Sequence, residues 1–304
     1  MSAVAHLAVT LVLCLLWVPP LLGARWASQS PGAAVVAWQL LLGTGVLCVV
    51  GLLAALGLAP YDRPMLPALG EFTEDLGTGL PPEMTVARLC WLVAAVVMVV
   101  LVPVTVVAST VGVLRVRRRQ RDLLALLGRT DPAAPGAVVV DHPVPMAYCV
   151  PGLRPRIVVS SGTLAMLDRG QLAAVLGHER AHARERHDLV LVPFTALRRV
   201  LPNSRYAKEI SATVALLLEM RADDRACRAH TRGCLQAALR RFRDGGFTTP
   251  AGALGIDDDH GDITARLDRI AQPRRRQLLP ARWIALTATT ALASTPISLF
   301  VWPG

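Results

Sequence analysis

His178-Glu179-Arg180-Ala181-His182 is the stretch on which the reading of this sequence turns. In a helix, positions i and i+4 point the same way, so both imidazoles can grip one metal ion while Glu179 reaches water on that ion. Zinc suits the pattern. It takes neutral imidazole nitrogen, keeps an open position in catalytic sites, and brings the pKa of bound water near neutrality. Glu179 is then the base that takes the water proton and passes it to a leaving amine. The competing reading is an exposed charged helix face, favoured by Arg180, Arg184 and Arg186. Against it, the preceding turn Ala173-Ala174-Val175-Leu176 is apolar, and two His and a Glu on a buried helix require partners.

A third protein ligand is required, and two residues compete. Asp188 lies ten residues after His178, where the metzincin pattern HExxHxxGxxH sets its last ligand, but Glu185 stands where that geometry uses Gly. Glu219, 37 residues after His182, follows Leu216-Leu217-Leu218 in a helix expected from Ser204 to His230. A carboxylate from a neighbouring helix completes a His2Glu set, so Glu219 is the expected ligand and Asp188 the alternative. Asp223, one turn further on, can accept the second ring N–H of a ligand histidine and fix its tautomer. His187 and His230 are candidates to bind developing oxyanion charge, each set against the plainer reading of polar surface.

Local signals frame the catalytic helix. Asp168 with Gln171 makes a capping box for a helix through about Arg186. Upstream, Ala137–Val140, Met146–Val150 and Arg156–Ser160 read as strands, separated by Pro143, Pro151, Gly152 and Pro155. A short helix is expected around Arg121–Leu127, stopping at Gly128. Arg156–Ser160 reads as a sheet edge that could take substrate as an added strand, with an interior strand as the alternative. Gly255–Asp262 reads as a mobile loop, because Asp257, Asp258 and Asp259 lack the alternating spacing of a calcium loop.

Outside this segment the chain is greasy. A 53% hydrophobic content and a mean hydropathy of +0.45 exceed those of ordinary soluble domains. Only 5% of residues are aromatic, so Leu, Val and Ala supply the apolar mass. Three transmembrane helices are expected within 1–114, at about 2–23, 33–59 and 89–112; the insert 115–280 is the soluble domain, and 281–304 forms a fourth span from Trp283 to Trp302. A signal peptide is the lesser reading of the first segment, which lacks a basic start. Arginine sets the orientation. Arg25, the cluster Arg115, Arg117, Arg118, Arg119 and Arg121, and the cluster Arg274, Arg275, Arg276 and Arg282 belong on the cytoplasmic side. The loop with Asp62, Glu71, Glu74, Asp75 and Glu83 against a single Arg63 belongs outside, with both termini. The expected location is the plasma membrane, multi-pass, with a cytoplasmic catalytic domain. The net charge of +10 then belongs to contacts with anionic lipid of the bilayer, and direct nucleic-acid binding is not expected. Six cysteines form no CxxC pair, which suits a reducing compartment. The fold class that follows is an α-helical membrane protein with four transmembrane helices and a cytoplasmic α+β, gluzincin-like zinc metallopeptidase domain.

The sequence resembles the BlaR/MecR-type membrane peptidases, relatives of the HtpX and CAAX-type proteases. The likeness rests on the membrane layout and on Ala147-Tyr148-Cys149-Val150-Pro151-Gly152 leading into Arg154-Pro155-Arg156-Ile157. It continues through His178–His182 with Arg184, Arg186 and Asp188, and ends on Glu219 with Asp223. It implies Zn2+ held by His178, His182 and Glu219, Glu179 as base, and cleavage of a protein substrate. That substrate is expected to be a cytosolic BlaI-type transcriptional repressor, or the protease itself, cut in response to an outside signal. The family's beta-lactam receptors carry a penicillin-binding domain after the fourth helix, whereas this sequence stops at Gly304. Direct antibiotic sensing is therefore not expected, and the signal would enter through the acidic outer loop or a sensor partner outside the membrane. The alternatives are an HtpX-like quality-control protease and a non-catalytic, zinc-containing membrane receptor.

Overall fold

The computed structural model describes residues 3–152, 154–245, 260–272 and 279–301. In chain order the helices are α1 (Ala3–Leu22), α2 (Arg25–Gln29), α3 (Pro31–Gly57), α4 (Met65–Thr78) and α5 (Val86–Leu127). Four strands follow: β1 (Gly128–Arg129), β2 (Ala137–Val140), β3 (Ala147–Val150) and β4 (Arg156–Ser160). Then come α6 (Ser161–Met166), α7 (Arg169–Glu185), α8 (His187–Val190) and α9 (Val192–Val200). The last four are α10 (Arg205–Ala229), α11 (Arg232–Asp244), α12 (His260–Ala271) and α13 (Leu279–Val301). The chain divides into two compact units, Met1–Thr105 with Gln277–Gly304, and Val106–Arg276.

In the first unit, α1, α3 and α5 are long and apolar enough to cross a membrane. The fourth apolar segment folds as α13, 23 residues long, which packs against α1 and α3. Its apolar character is diluted by hydroxyls that bond back one turn, as Thr287 Oγ1 does to Trp283 O at 2.9 Å and Thr289 Oγ1 to Ala285 O at 2.9 Å. Two sequence expectations change here. The acidic stretch after α3 is not simply a loop, because Met65, Ala68 and Phe72 recur at helical spacing and α4 lays them against Leu58 and Leu92. Likewise α5 does not end near 112 and restart at 121. It runs as one helix of 42 residues, about 63 Å long and roughly twice the hydrocarbon thickness of a bilayer. Arg, Gln and Leu after Gly112 are all good helix formers, so hydropathy ends there while the helix continues to Leu127.

The second unit is built on a four-stranded sheet in the order β1-β2-β4-β3. β2 and β4 are parallel, with Val139 opposite Val159; β3 and β4 are antiparallel, with Tyr148 opposite Val158. This overturns the reading of Arg156–Ser160 as an edge. β4 is interior, buried at every position after Arg156, because helices cover both faces of the sheet and leave no polar side. Leu124 of α5 packs with Val150 and Val158 on one face. On the other, Val139, Ile157 and Val159 meet Leu172, Val175 and Leu176 of α7. The free edge beside the catalytic helix is β3.

Capping places α7. Asp168 Oδ1 accepts from Gln171 N at 2.9 Å, and Gln171 Oε1 accepts from Asp168 N at 3.3 Å, the expected reciprocal pair. The back of α7 meets a second apolar cluster, where Ala174 joins Ala226 of α10, Leu235 and Leu239 of α11, and Leu267 and Ile270 of α12. α7 is thus held between sheet and helices. At its end Arg186 adopts φ 50 and ψ 46, a left-handed conformation that favours glycine. α12 begins at His260, so the expected loop Gly255–Asp262 ends in helix; Asp257, Asp258, Asp259, Arg274, Arg275, Arg276 and Trp302 lie outside the described residues.

Candidate metal centre

α7 presents His178 and His182 one turn apart with Glu179 beside them, and α10 brings Glu219 to the same point. The Nε2 atoms of the two histidines are 3.0 Å apart. Nε2 of His178 is 3.2 Å from Glu219 Oε2, and Nε2 of His182 is 3.2 Å from Glu219 Oε1. Ligands at about 2.0–2.1 Å from a tetrahedral zinc stand about 3.3 Å from one another. Each separation is therefore of the size expected between neighbouring zinc ligands, with one Glu219 oxygen facing each imidazole. The donors are right for that ion too, two imidazole nitrogens and a carboxylate, with one corner left for water or substrate. His178 and His182 are buried, whereas the Glu219 side chain keeps 26% of its surface exposed, so the cluster opens to one side.

A ring of charge surrounds the ligand group. Asp223, fully buried, sets Oδ1 2.9 Å from His178 Nδ1. The atoms lie off the line of a regular hydrogen bond, so this contact orients the ring chiefly through charge. Burial pushes the His178 pKa down, but Asp223 and Glu219 outweigh it and raise the group to about 10. The field that holds a proton on His178 equally favours a divalent cation, since metal and proton compete for the same lone pair. Burial also raises the Glu179 carboxyl above its ordinary value, against the pull of the two histidines.

Residues 113–234 match the model of Peptidase family M48. The match runs from α5 into the first turn of α11 and contains His178, Glu179, His182, Glu219 and Asp223. No solved structure matches the chain. M48 peptidases are typically zinc-dependent, and the match, the His-His-Glu group and the apolar helices together support a membrane-associated zinc metalloprotease.

Beyond the M48 segment, α12 supplies a residue that sequence reading missed. Arg266 donates from Nε and Nη2 to both oxygens of Asp223, at 2.9 and 2.8 Å, and its Nη1 is 2.9 Å from Glu219 Oε2. Burial would raise the Asp223 carboxyl, but Arg266 and His178 hold it down at about 2. Glu219 is held well below its usual value by His182 and Arg266 against the same burial penalty. The signal for a counter-cation was present, since a buried Glu and Asp on an apolar helix require one. Which arginine serves was not legible.

The remaining candidates fall elsewhere. Asp188 is outside the ligand group and is taken up by arginines. Its Oδ2 accepts from Arg117 Nη1 at 2.8 Å, and its Oδ1 accepts from Arg186 Nε at 3.2 Å. The metzincin alternative thus loses its ligand to a buried ion pair. His230 caps α10 and lays its ring on Gly177, where an added Cβ would come within 2.9 Å of Cδ2; only glycine admits that contact. His187, a candidate oxyanion group set against a reading as polar surface, is not surface: it is buried against His182, with Nδ1 2.8 Å from Nδ1.

Proposed function

We propose that this chain is a membrane-bound zinc endopeptidase of the regulatory kind, cleaving a cytosolic repressor or itself when a signal arrives from outside. The single observation that carries the peptidase reading is the convergence of His178, His182 and Glu219 with Glu179 on the same helix turn. His178, His182 and Glu219 would hold zinc, which when bound would supply Lewis acidity toward a peptide carbonyl and its attacking water. Glu179 takes one proton from that water as it attacks and delivers it to the amine as the C–N bond breaks. A carboxyl raised by burial suits both halves of the transfer, being basic enough to accept and acidic enough to return the proton. A purely structural zinc site has no use for such a base, which weighs against a non-catalytic receptor.

Substrate would lie along β3. In an antiparallel pair alternate residues face the partner; Ser160 N donates to Met146 O at 3.0 Å, so 146, 148 and 150 bond to β4. The N–H groups of Ala147 and Cys149 then face outward, free to pair with an extended peptide. The regulatory role is favoured by the likeness to repressor-cleaving peptidases. In this reading α13 is a fourth span, the arginine clusters hold the peptidase unit in the cytoplasm, and both termini lie outside. Metal analysis of the purified full chain should give one zinc per molecule, and none after His178→Ala with His182→Ala; a metal-free wild type would end the reading. Comparing host proteomes with wild type and Glu179→Gln separates the roles: loss of one repressor fragment supports regulation, whereas loss of many membrane-protein fragments supports quality control. A reporter at Gly77 should read outside, and reversal would overturn the orientation.

A further inference from the structure

His182 has a neighbour that the peptidase reading leaves unused. In an unbroken helix, five residues advance the chain by about 500°, leaving position i+5 some 140° around from position i. His187 would then face away from His182. The left-handed turn at Arg186 changes this. It reverses the backbone directly after α7 and swings His187 back beneath the catalytic helix, with the two rings perpendicular (interplanar 88°) and their centroids 4.7 Å apart. A non-glycine residue in that region is strained and must be held by its surroundings. Arg186 is held there by Asp188, which accepts from its Nε at 3.2 Å and its Nη2 at 3.3 Å.

The tautomers follow from proton counting. His187 is 1% exposed, so its ring nitrogens must find partners inside the protein. Two Nδ1 atoms 2.8 Å apart share one proton, with one ring donating and the other accepting. With Nε2 of His182 turned to the metal position, its lone pair is committed there and its proton must sit on Nδ1. Nδ1 of His187 therefore accepts, and its proton sits on Nε2, which faces Glu185 Oε2 at 3.4 Å. Glu185 is clamped in turn by Arg221 and Arg225 of α10. Each group fixes the tautomer of the next, and the series ends on charges that do not rotate. Both nitrogens of His187 are thereby occupied, which removes it as an oxyanion donor.

We infer that His187 is a positioning residue for His182, holding its Nδ1–H tautomer so that Nε2 is presented to the metal, and that Glu185 with Arg221 and Arg225 anchors His187. The inference rests on the metal-centre reading above. It gives the two ligand histidines different supports: His178 leans on the carboxylate of Asp223 directly, whereas His182 reaches a carboxylate through a neutral imidazole.

The test uses the full chain in detergent, with zinc affinity measured by competition against a chromogenic chelator. His187→Phe keeps the ring volume and removes the acceptor, and should weaken zinc about 10–100-fold, the usual effect of losing a group that orients a ligand. His187→Gln restores an oxygen able to accept the His182 proton and should recover most of that loss. A structural filler would show the reverse order, since phenylalanine fills the space better. Long-range proton–nitrogen correlation on histidine-labelled, zinc-loaded protein should show His187 protonated at Nε2 and bare at Nδ1 in the wild type, and a tautomer mixture of His187 in Glu185→Leu. Should His187→Phe not fold, Glu185→Leu decides instead, with an expected loss in the same direction but smaller, since His187 itself remains. Wild-type zinc affinity in both His187→Phe and Glu185→Leu overturns the relay alone. A wild type that takes up no zinc overturns relay and metal centre together.

Discussion

Replacing Asp188 by alanine should unfold the protein more easily and loosen the turn that seats His187, while removing no zinc ligand. The Asp188 side chain is 0% exposed and its partner Arg117 only 10%. Arg186, at 40%, can turn to solvent when the carboxylate goes, but Arg117 cannot, and its Nε already lacks a partner. The cost is therefore that of one buried guanidinium left without its counter-charge, about 3–5 kcal/mol. For a unit of this size, Val106–Arg276, that corresponds to a fall in Tm of roughly 6–20 °C. Adding Arg117→Met to Asp188→Ala should recover much of it, because the orphaned charge is then gone as well. The pH dependence has a defined sign. Burial would raise the Asp188 carboxyl, but Arg186 and Arg117 outweigh it and hold it below its ordinary value. Its contribution is thus complete above about pH 4 and is lost as pH falls through the folded value beneath that. The assay is thermal unfolding of the detergent-solubilised full chain, with and without a chelator, alongside the zinc-to-protein ratio. Asp188→Ala should keep most of its zinc and shift Tm in both conditions, while Glu219→Ala should lose zinc and become insensitive to chelator. Zinc stripped by Asp188→Ala and retained in Glu219→Ala would refute the reasoning and restore the metzincin alternative.

Arg266→Met should weaken zinc binding about tenfold or more, because Asp223 and Glu219 lose the cation that holds them; chelator competition measures this, and unchanged affinity would leave Arg266 only a structural tie between α12 and α10. Burial pushes the Cys149 thiol up to about 12, which leaves about a thousandfold less thiolate at pH 8 than an ordinary cysteine carries. Mass spectrometry after alkylation should find Cys149 unmodified in the native chain and modified after denaturation. Ala147→Pro removes an outward N–H of β3 without touching a ligand, so cleavage should fall while zinc content and Tm persist; unchanged cleavage would exclude β3 as the docking edge.

Much of this was legible because it is local. The capping box at Asp168 and Gln171 and the spacing of His178 and His182 each act within one or two turns, where chain geometry alone decides who meets whom. Three of the four strands were readable to within a residue for the same reason, whereas the two-residue β1 was not. Strand order was not. Alternation and turn residues say that Arg156–Ser160 is extended, but whether it is flanked on one side or two depends on helices distant in sequence. Nor does hydropathy say where a helix ends, which is why α5 outruns its apolar stretch.

The sequence by itself determined the chemistry: two imidazoles and a base on one helix, a leucine-backed carboxylate on another, and apolar helices to carry them. Only the tertiary structure decided which carboxylate joins them and which cations attend it. Asp188 and Glu219 are both acids at plausible spacings, and they separate only because Arg117 and Arg186 converge on the first while His178, His182 and Arg266 converge on the second. A chain with 32 lysines and arginines offers a partner to every acid, and sequence distance carries no record of which pairs fold together. His187 shows the same limit at short range. Five residues from His182 it belongs on the far side of a helix, and a single left-handed residue at Arg186 brings it underneath.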